Sequence, residues 1–475
     1  MGKPAAVVIG SGPNGLSAAI HAAQAGFEVE VREAAVQPGG AARSGELTLP
    51  GFVHDLGSAV HPLGIGSPFF SKLALERHGL EWVHSPAELA HPLDDGSAVI
   101  LERDVRQTAS QFGSDGAAYR RLFEPLAENW WELAGEILPL RFRFPKHPLL
   151  LAQFGMRALL PCTVLAKALF RESRAAALFA GVCAHSSLEL DAPISASFGI
   201  VLGAAGHAVG WPVPRGGAQS IPSALIHVLT GLGGRVVTNS PVASLREVEG
   251  FDLVFCDLTP RRFLALAEER LRPPFRQLLE RYRYGPGVFK VDWALREPIP
   301  WRAKDCARAI TVHLGGSVEE MAASERAANQ GRPPERPFVL LAQPSLFDPT
   351  RAPRGKHAAW AYCHVPNGWT GSALEQIESQ IERFAPGFGE CVLARAVHNT
   401  IQMQAWNMNL EGGDINGGKM DLKQFAIRPT WRRYGTPLKG VYLCSSCTPP
   451  GGAVHGMCGY QAAEWAIRDF RRSRR

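Results

Sequence analysis

The sequence predicts a two-domain fold of the α/β class, α+β in its second part. One domain is built on a βαβ unit and the other on mixed sheet and helices. Three observations predict it. A strand-like run, a glycine turn, a helix-like run and a second strand-like run follow one another between Ala5 and Val31. A strand-like run, a loop rich in glycine and proline, and a helix-like run close the chain from Val441 onward. The 475 residues are also enough to bury a large core, and chains of that length usually divide.

Taken in order, Ala5 to Ile9 is short and β-branched, which suits a buried parallel strand. Gly10, Gly12 and Gly15 then spell G-x-G-x-x-G, with Pro13 and Asn14 inside the turn. A helix is expected over Leu16 to Ala25, ended by Gly26, and a second strand over Phe27 to Val31. Glu33 stands at the end of that strand. Each glycine has a physical task in a Rossmann unit: Gly10 permits the tight turn, Gly12 lets backbone approach a pyrophosphate, and Gly15 lets helix and strand pack closely. Unpaired N–H groups at the helix start favour phosphate, and Glu33 accepts from a ribose hydroxyl. Arg32 leaves an opening for a 2′-phosphate, and hence for NADP.

The next segment, AAVQPGGAARSGELTLPGFVHDLGSAVHPL, holds a second glycine turn at Gly39 and Gly40, then Arg43, then Asp55 and Gly57 as D-x-G. With the first turn it resembles the N-terminal fingerprint of the glutathione-reductase-type FAD superfamily, which implies FAD as cofactor and Arg43 beside the pyrophosphate. The C-terminal stretch GVYLCSSCTPPGGAVHGMCGYQAAEWAIRDF is similar to the signature of phytoene desaturases, carotenoid isomerases and their relatives. The likeness runs to the branch typified by pyridine nucleotide-disulfide oxidoreductase domain-containing protein 2. By that resemblance, Gly456 and the loop before it meet the flavin end, and Val242 holds the adenine through its backbone. The family often has an acid near the ribityl chain. Here Cys444, Ser445, Ser446 and Cys447 stand instead, so a hydroxyl such as that of Ser446, or backbone groups, must serve. GWPVPRGGAQSIPSAL, from Gly210, resembles the return into the FAD domain, and Gly233 to Leu245 is expected to give two short strands.

The FAD-binding domain is therefore expected to be discontinuous, over 1–63, 205–262 and 425–475. Residues 64–204 and 263–424 would form the substrate domain. Its first part reads as helical around Tyr119 to Ile137 and Leu149 to Leu188, and its second as sheet, as at Gly287 to Leu295. The polar segment Val318 to Arg336 reads as a mobile surface loop.

Composition removes several function classes. Lys and Arg (50) barely exceed Asp and Glu (44), giving a net charge of +6, and the densest basic cluster is Arg468 to Arg475. That is no nucleic-acid footprint. The nine cysteines, none before Cys162, are odd in number and read as packed free thiols rather than a disulfide framework. CSSC with Cys458 and His455 falls short of a zinc site, because the loop is needed for the flavin. With four residues before the first strand, no signal peptide is expected. No apolar run reaches the roughly 18 residues of a transmembrane helix. A cytoplasmic protein is expected, with one candidate for peripheral membrane contact: His147 to Phe170, interrupted by Arg157 and Pro161 and preceded by Arg141, Arg143 and Lys146. A buried helix pair is the preferred reading of that segment.

His455 and Lys290 are the catalytic candidates. His455 lies in the loop expected beside the flavin. Lys290, in VFKVDW, faces the pocket wall or holds a water near flavin N5. A salt bridge to Asp292 is judged less natural, since residues two apart on a strand sit well separated. His185, His207 and His364 are further pocket candidates. No second G-x-G-x-x-G unit exists for NAD(P)H, so oxygen, a quinone or another carrier must take the electrons. The resemblance implies hydride abstraction from a small apolar, isoprenoid- or lipid-like substrate. A redox-neutral polyene isomerase and a non-catalytic FAD-binding regulator are the alternatives.

Overall fold

The structure is a computed structural model and describes residues 2–139, 144–267 and 270–474. Two sheets organise it. The first has five strands in the order Val441–Leu443, Leu253–Cys256, Ala5–Ile9, Glu28–Arg32 and Arg235–Val237, every pair parallel. Its strands come from three stretches of chain far apart in sequence. The N-terminal unit forms as its pattern dictates: Ala6, Val7 and Val8 are fully buried, Pro13 opens the helix Pro13–Gln24, and the small face of that helix packs on the sheet. The strand order reverses between Ala5–Ile9 and Leu253–Cys256. In open parallel sheets the crevice at the carboxyl ends of two such strands is where ligands bind.

The second sheet has seven strands in the order Val392–His398, Gly287–Leu295, His357–Val365, Val339–Ala342, Ala309–Leu314, Ala87–Pro92 and Ala98–Leu101. Only Ala309–Leu314 and Ala87–Pro92 pair in parallel. Alternation sorts its side chains. Phe289, Val291, Trp293, Ala359, Ala361 and Leu341 build one core with Ile377, Ile381, Phe384 and Phe388. Val288, Lys290, Trp360, Tyr362, Leu340 and Ala342 turn to the other face, toward a cavity. Asp55 ties distant segments together: its buried carboxylate accepts from Ser44 Oγ and the Ala218 N–H, each at 2.7 Å, and pairs with buried Arg351.

Several expectations are corrected. Val318–Asn329 is a helix, not a loop; Ser317 caps it, and Met321, Ala322, Glu325 and Ala328 are buried. Its inward face mixes Met321 and alanines with buried Ser324 and Glu325, so the apolar stripe is broken. Only one strand, Arg235–Val237, lies between Gly233 and Leu245; beyond it the chain turns into a short helical turn with a Ser244–Glu247 capping box. Of the pair Pro148–Ala158 and Cys162–Leu169, bent by 105° to one another, the first is not a buried helix. Leu149 (80% exposed) and Met156 (68%) stand in solvent, with Leu159 and Val164 beyond them. No single helix among the described residues is long and apolar enough to cross a membrane. Arg141 and Arg143 lie outside the described residues.

Candidate active site

A cavity of about 1180 Å³ runs from the carboxyl end of the parallel sheet to the inner face of the second sheet. At its first end, Gly10 to Asn14, Glu33, Gly40, Arg43, Val242 and Asp257 line the wall. The two glycine turns are pressed together. A Cβ on Gly40 would stand 2.9 Å from Gly12 Cα, and Gly10 and Gly40 both have positive φ (102° and 56°). The turn at Gly12 is thus closed on one side by the backbone of Gly40 and meets the Asp257 carboxyl on another. Glu33 accepts from the Ser11 N–H (2.9 Å), Ser11 Oγ (2.6 Å) and the Ala35 N–H (2.9 Å), which fixes its carboxylate beside the turn. Arg32 is engaged with Glu30 at 2.7 Å, so the cation that would favour a 2′-phosphate already has a partner.

The remaining predicted residues divide. Arg43 lines the cavity and donates to the Gly40 and Trp406 carbonyls, with its guanidinium 4.6 Å from the centre of the Trp406 ring. Ser446 lines the cavity; its backbone carbonyl accepts from Arg428 at 2.9 Å. Gly15, Gly39 and Gly456 stand behind the wall. A Cβ on Gly15 would meet the Gly10 carbonyl at 2.2 Å, and one on Gly456 would meet Ser17 Oγ at 2.2 Å. These two glycines serve close packing of helix on strand and helix on helix.

The second end is apolar. Ile137, Leu138, Leu151, Phe154, Phe198, Val201 and Leu202 face Leu340, Trp360 and Tyr362, whose rings stack with centroids 5.7 Å apart. Its histidines are neutral at pH 7. Burial pushes His61 and His455 down to about 4 and His185 to about 3. His455 Nδ1 accepts the Met457 N–H at 3.0 Å at the start of the helix Met457–Ser473, so this ring holds a helix end as well as lining the cavity. His207 is bound to Tyr119 and the Arg103 carbonyl, and His364 to Glu325 and Ser187; neither reaches the cavity wall.

Lys290 does line the wall, but in a salt bridge with Asp292 that the residue spacing argued against. Nζ lies 2.5–2.6 Å from the Asp292 oxygens. Both side chains are buried, so neither charge has water as an alternative, and the four-carbon stem of Lys290 spans the distance between the two positions. Nζ also stands 5.4 Å over the Trp360 ring. All nine cysteines are free and buried, and no group of His, Cys, Asp or Glu among the described residues could hold a metal ion.

Asp257 was missed. It sits at the carboxyl end of Leu253–Cys256, and its Oδ2 accepts the Gly15 N–H at 3.0 Å. Burial, aided by the charge of Glu33 and opposed by that hydrogen bond, pushes its carboxyl up to about 7. The available signal was an acid at the end of an apolar, strand-like run.

A model of the NAD(P)-binding Rossmann-like domain matches residues 8–72. The chain is homologous over 98% of its length, and 94% of the relative's, to pyridine nucleotide-disulfide oxidoreductase domain-containing protein 2 of Rattus norvegicus, at 26% identity. Hydroxyneurosporene desaturase of Rhodobacter capsulatus is 35% identical over 133 residues, 26% of each chain. Among solved structures, putrescine oxidase bound to putrescine matches 99% of this chain and 98% of its own, with a TM-score of 0.61 at 17% identity.

Proposed function

We propose that this protein is an FAD-dependent oxidoreductase that removes hydrogen from a C–H bond of an apolar, isoprenoid- or lipid-like substrate. The observation that carries this reading is the single cavity that joins the glycine turns to an apolar chamber. The turn at Gly10 to Asn14, Gly40 and the braced carboxylate of Glu33 fit a dinucleotide. The length of the cavity beyond them leaves room for a ring system and a substrate. When bound, FAD supplies two-electron hydride chemistry. The chain's own residues supply the rest: the apolar chamber wall favours an apolar substrate, neutral His61, His185 and His455 add no charge, and the Trp360–Tyr362 wall orients an apolar chain.

An amine, as the putrescine oxidase likeness suggests, is the less favoured substrate. The ring face of Trp360 that would attract an ammonium already meets Lys290. The exposed Leu149 and Met156 share a helix with Leu151 and Phe154 of the cavity wall. That arrangement supports entry of substrate from a lipid surface against which this helix lies.

The test is a visible spectrum of purified protein, identification by mass of the cofactor released on denaturation, and an anaerobic screen of polyenes, prenyl lipids and amines for bleaching of the flavin band. FAD with bleaching by an isoprenoid is expected. Bleaching by amines alone would overturn the substrate class, and a protein that neither contains nor binds FAD would overturn the whole reading.

A further inference from the structure

We propose that Asp257 is a cofactor-binding residue that works as the protonated acid, so that capture of FAD takes up a proton. This rests on the FAD reading above. Asp257 lies at the point where the strand order reverses, across the crevice from Gly10. A Cβ on Gly12 would stand 2.7 Å from its Oδ2, which places the carboxyl inside the pyrophosphate turn. Its hydrogen bond uses the Gly15 N–H, in the first turn of the helix Pro13–Gln24, the helix end that also attracts phosphate. A carboxylate there and a doubly negative pyrophosphate would compete for one positive helix end.

No neighbouring cation relieves the conflict. Among the described residues Asp257 makes no salt bridge. Glu33, across the turn, adds negative charge. Arg43 is committed to the Gly40 and Trp406 carbonyls, Arg32 to Glu30, and Arg262 to Glu411 at 2.7 Å. From the strand and loop on the other side come thiols, Cys256, Cys444 and Cys447, which burial keeps neutral. From the loop above, Asn409 donates to the Asp257 backbone carbonyl at 2.8 Å. Arg433 also lines the cavity, and its charge is not among those that shift Asp257. The neutral acid resolves the conflict: one oxygen still accepts from Gly15, and its O–H becomes a donor in place of a negative charge. Burial pushes this carboxyl up to about 7, so its proton is available at small cost near neutral pH.

The experiment dilutes purified holoprotein at pH 6 to 9 and measures FAD released, by fluorescence of an ultrafiltrate. One proton taken up per FAD makes Kd rise about tenfold per pH unit above pH 7. Asp257→Asn keeps an acceptor for Gly15 and cannot ionise. Its Kd is expected to stay flat from pH 7 to 9 and to lie about tenfold or more below wild type at pH 9. A wild-type Kd that changes less than about threefold over pH 6 to 9, or an Asp257→Asn protein with the wild-type slope, overturns the proposal. Asp257→Ser serves if the asparagine variant does not fold, and the wild-type slope needs no variant. Failure to hold FAD at every pH, in wild type and variants alike, removes the cofactor reading itself and is distinct from FAD bound without pH dependence.

Discussion

Replacing Lys290 with methionine keeps the length and apolarity of the stem and removes the charge. Asp292 is then left with no exposed surface and no ammonium partner. His54 Nδ1 at 3.5 Å and His398 Nδ1 at 3.8 Å do not substitute at pH 8, because burial, the largest cause of their lowered pKa values, still holds both rings neutral there after Lys290 is gone. Removing one partner of a buried pair costs about 3–5 kcal/mol. With a urea dependence of about 3 kcal/mol per molar, the unfolding midpoint falls by about 1–2 M. The double variant Lys290→Met/Asp292→Leu recovers most of that loss, since two apolar groups replace the pair. The pH dependence has a definite sign. Without Lys290, the pKa values of His54 and His398 rise toward Asp292. Each ring then takes up a proton more readily than in wild type below its unfolded value of about 6.5, a difference that grows as pH falls and is absent at pH 8. The deficit of the single variant is therefore smaller at pH 5.5 than at pH 8. A single variant within about 0.3 M of wild type at pH 8, or a double variant no better than the single, would refute this account of the pair.

Three further outcomes are expected. Glu33→Gln loses charge-assisted acceptance beside the turn, worth about 1.5–3 kcal/mol, so FAD binds about ten- to a hundredfold more weakly in a fluorescence titration. His54, His61, His91, His207 and His455 are held at about 4 and His185 at about 3. The unfolded chain binds more protons there, so stability falls as pH drops from about 6.5 toward 4, and a flat profile of urea midpoint against pH in that interval would contradict the assignment. Leu149→Glu with Met156→Glu reduces cosedimentation with anionic phospholipid vesicles about tenfold or more while leaving the thermal midpoint in place, because neither side chain packs in the core.

The parts of this fold legible in the sequence are those whose partners are near in the chain. The unit from Ala5 to Arg32 is sequential, with each strand, turn and helix placed by its own residues. The C-terminal strand Val441–Leu443 and the helix Met457–Ser473 were legible for the same reason. Asp257 was not, since its partner Gly15 is 242 residues away and only the parallel sheet joins them. Lys290 and Asp292 were identified as near neighbours, yet their spacing misled, because burial outweighs separation when neither charge can reach water. The helix Val318–Asn329 escaped notice because it buries Ser324 and Glu325 where an apolar stripe would be expected.

The parallel sheet has a consequence for the order in which the chain acquires structure. The helix Pro13–Gln24 packs on the helix Met457–Ser473: His21 meets Tyr460 with ring centroids 4.7 Å apart, and Gly459 lies directly against Asn14. On a ribosome adding about 5–20 residues per second, the first helix and its strand wait tens of seconds for these partners. During that time an apolar helix face and the edge of Ala5–Ile9 stay uncovered, a condition that invites aggregation and chaperone capture. Contacts this distant in sequence also make closure of the sheet a slow, late event, so the pocket for the dinucleotide cannot mature until nearly all of the chain has emerged.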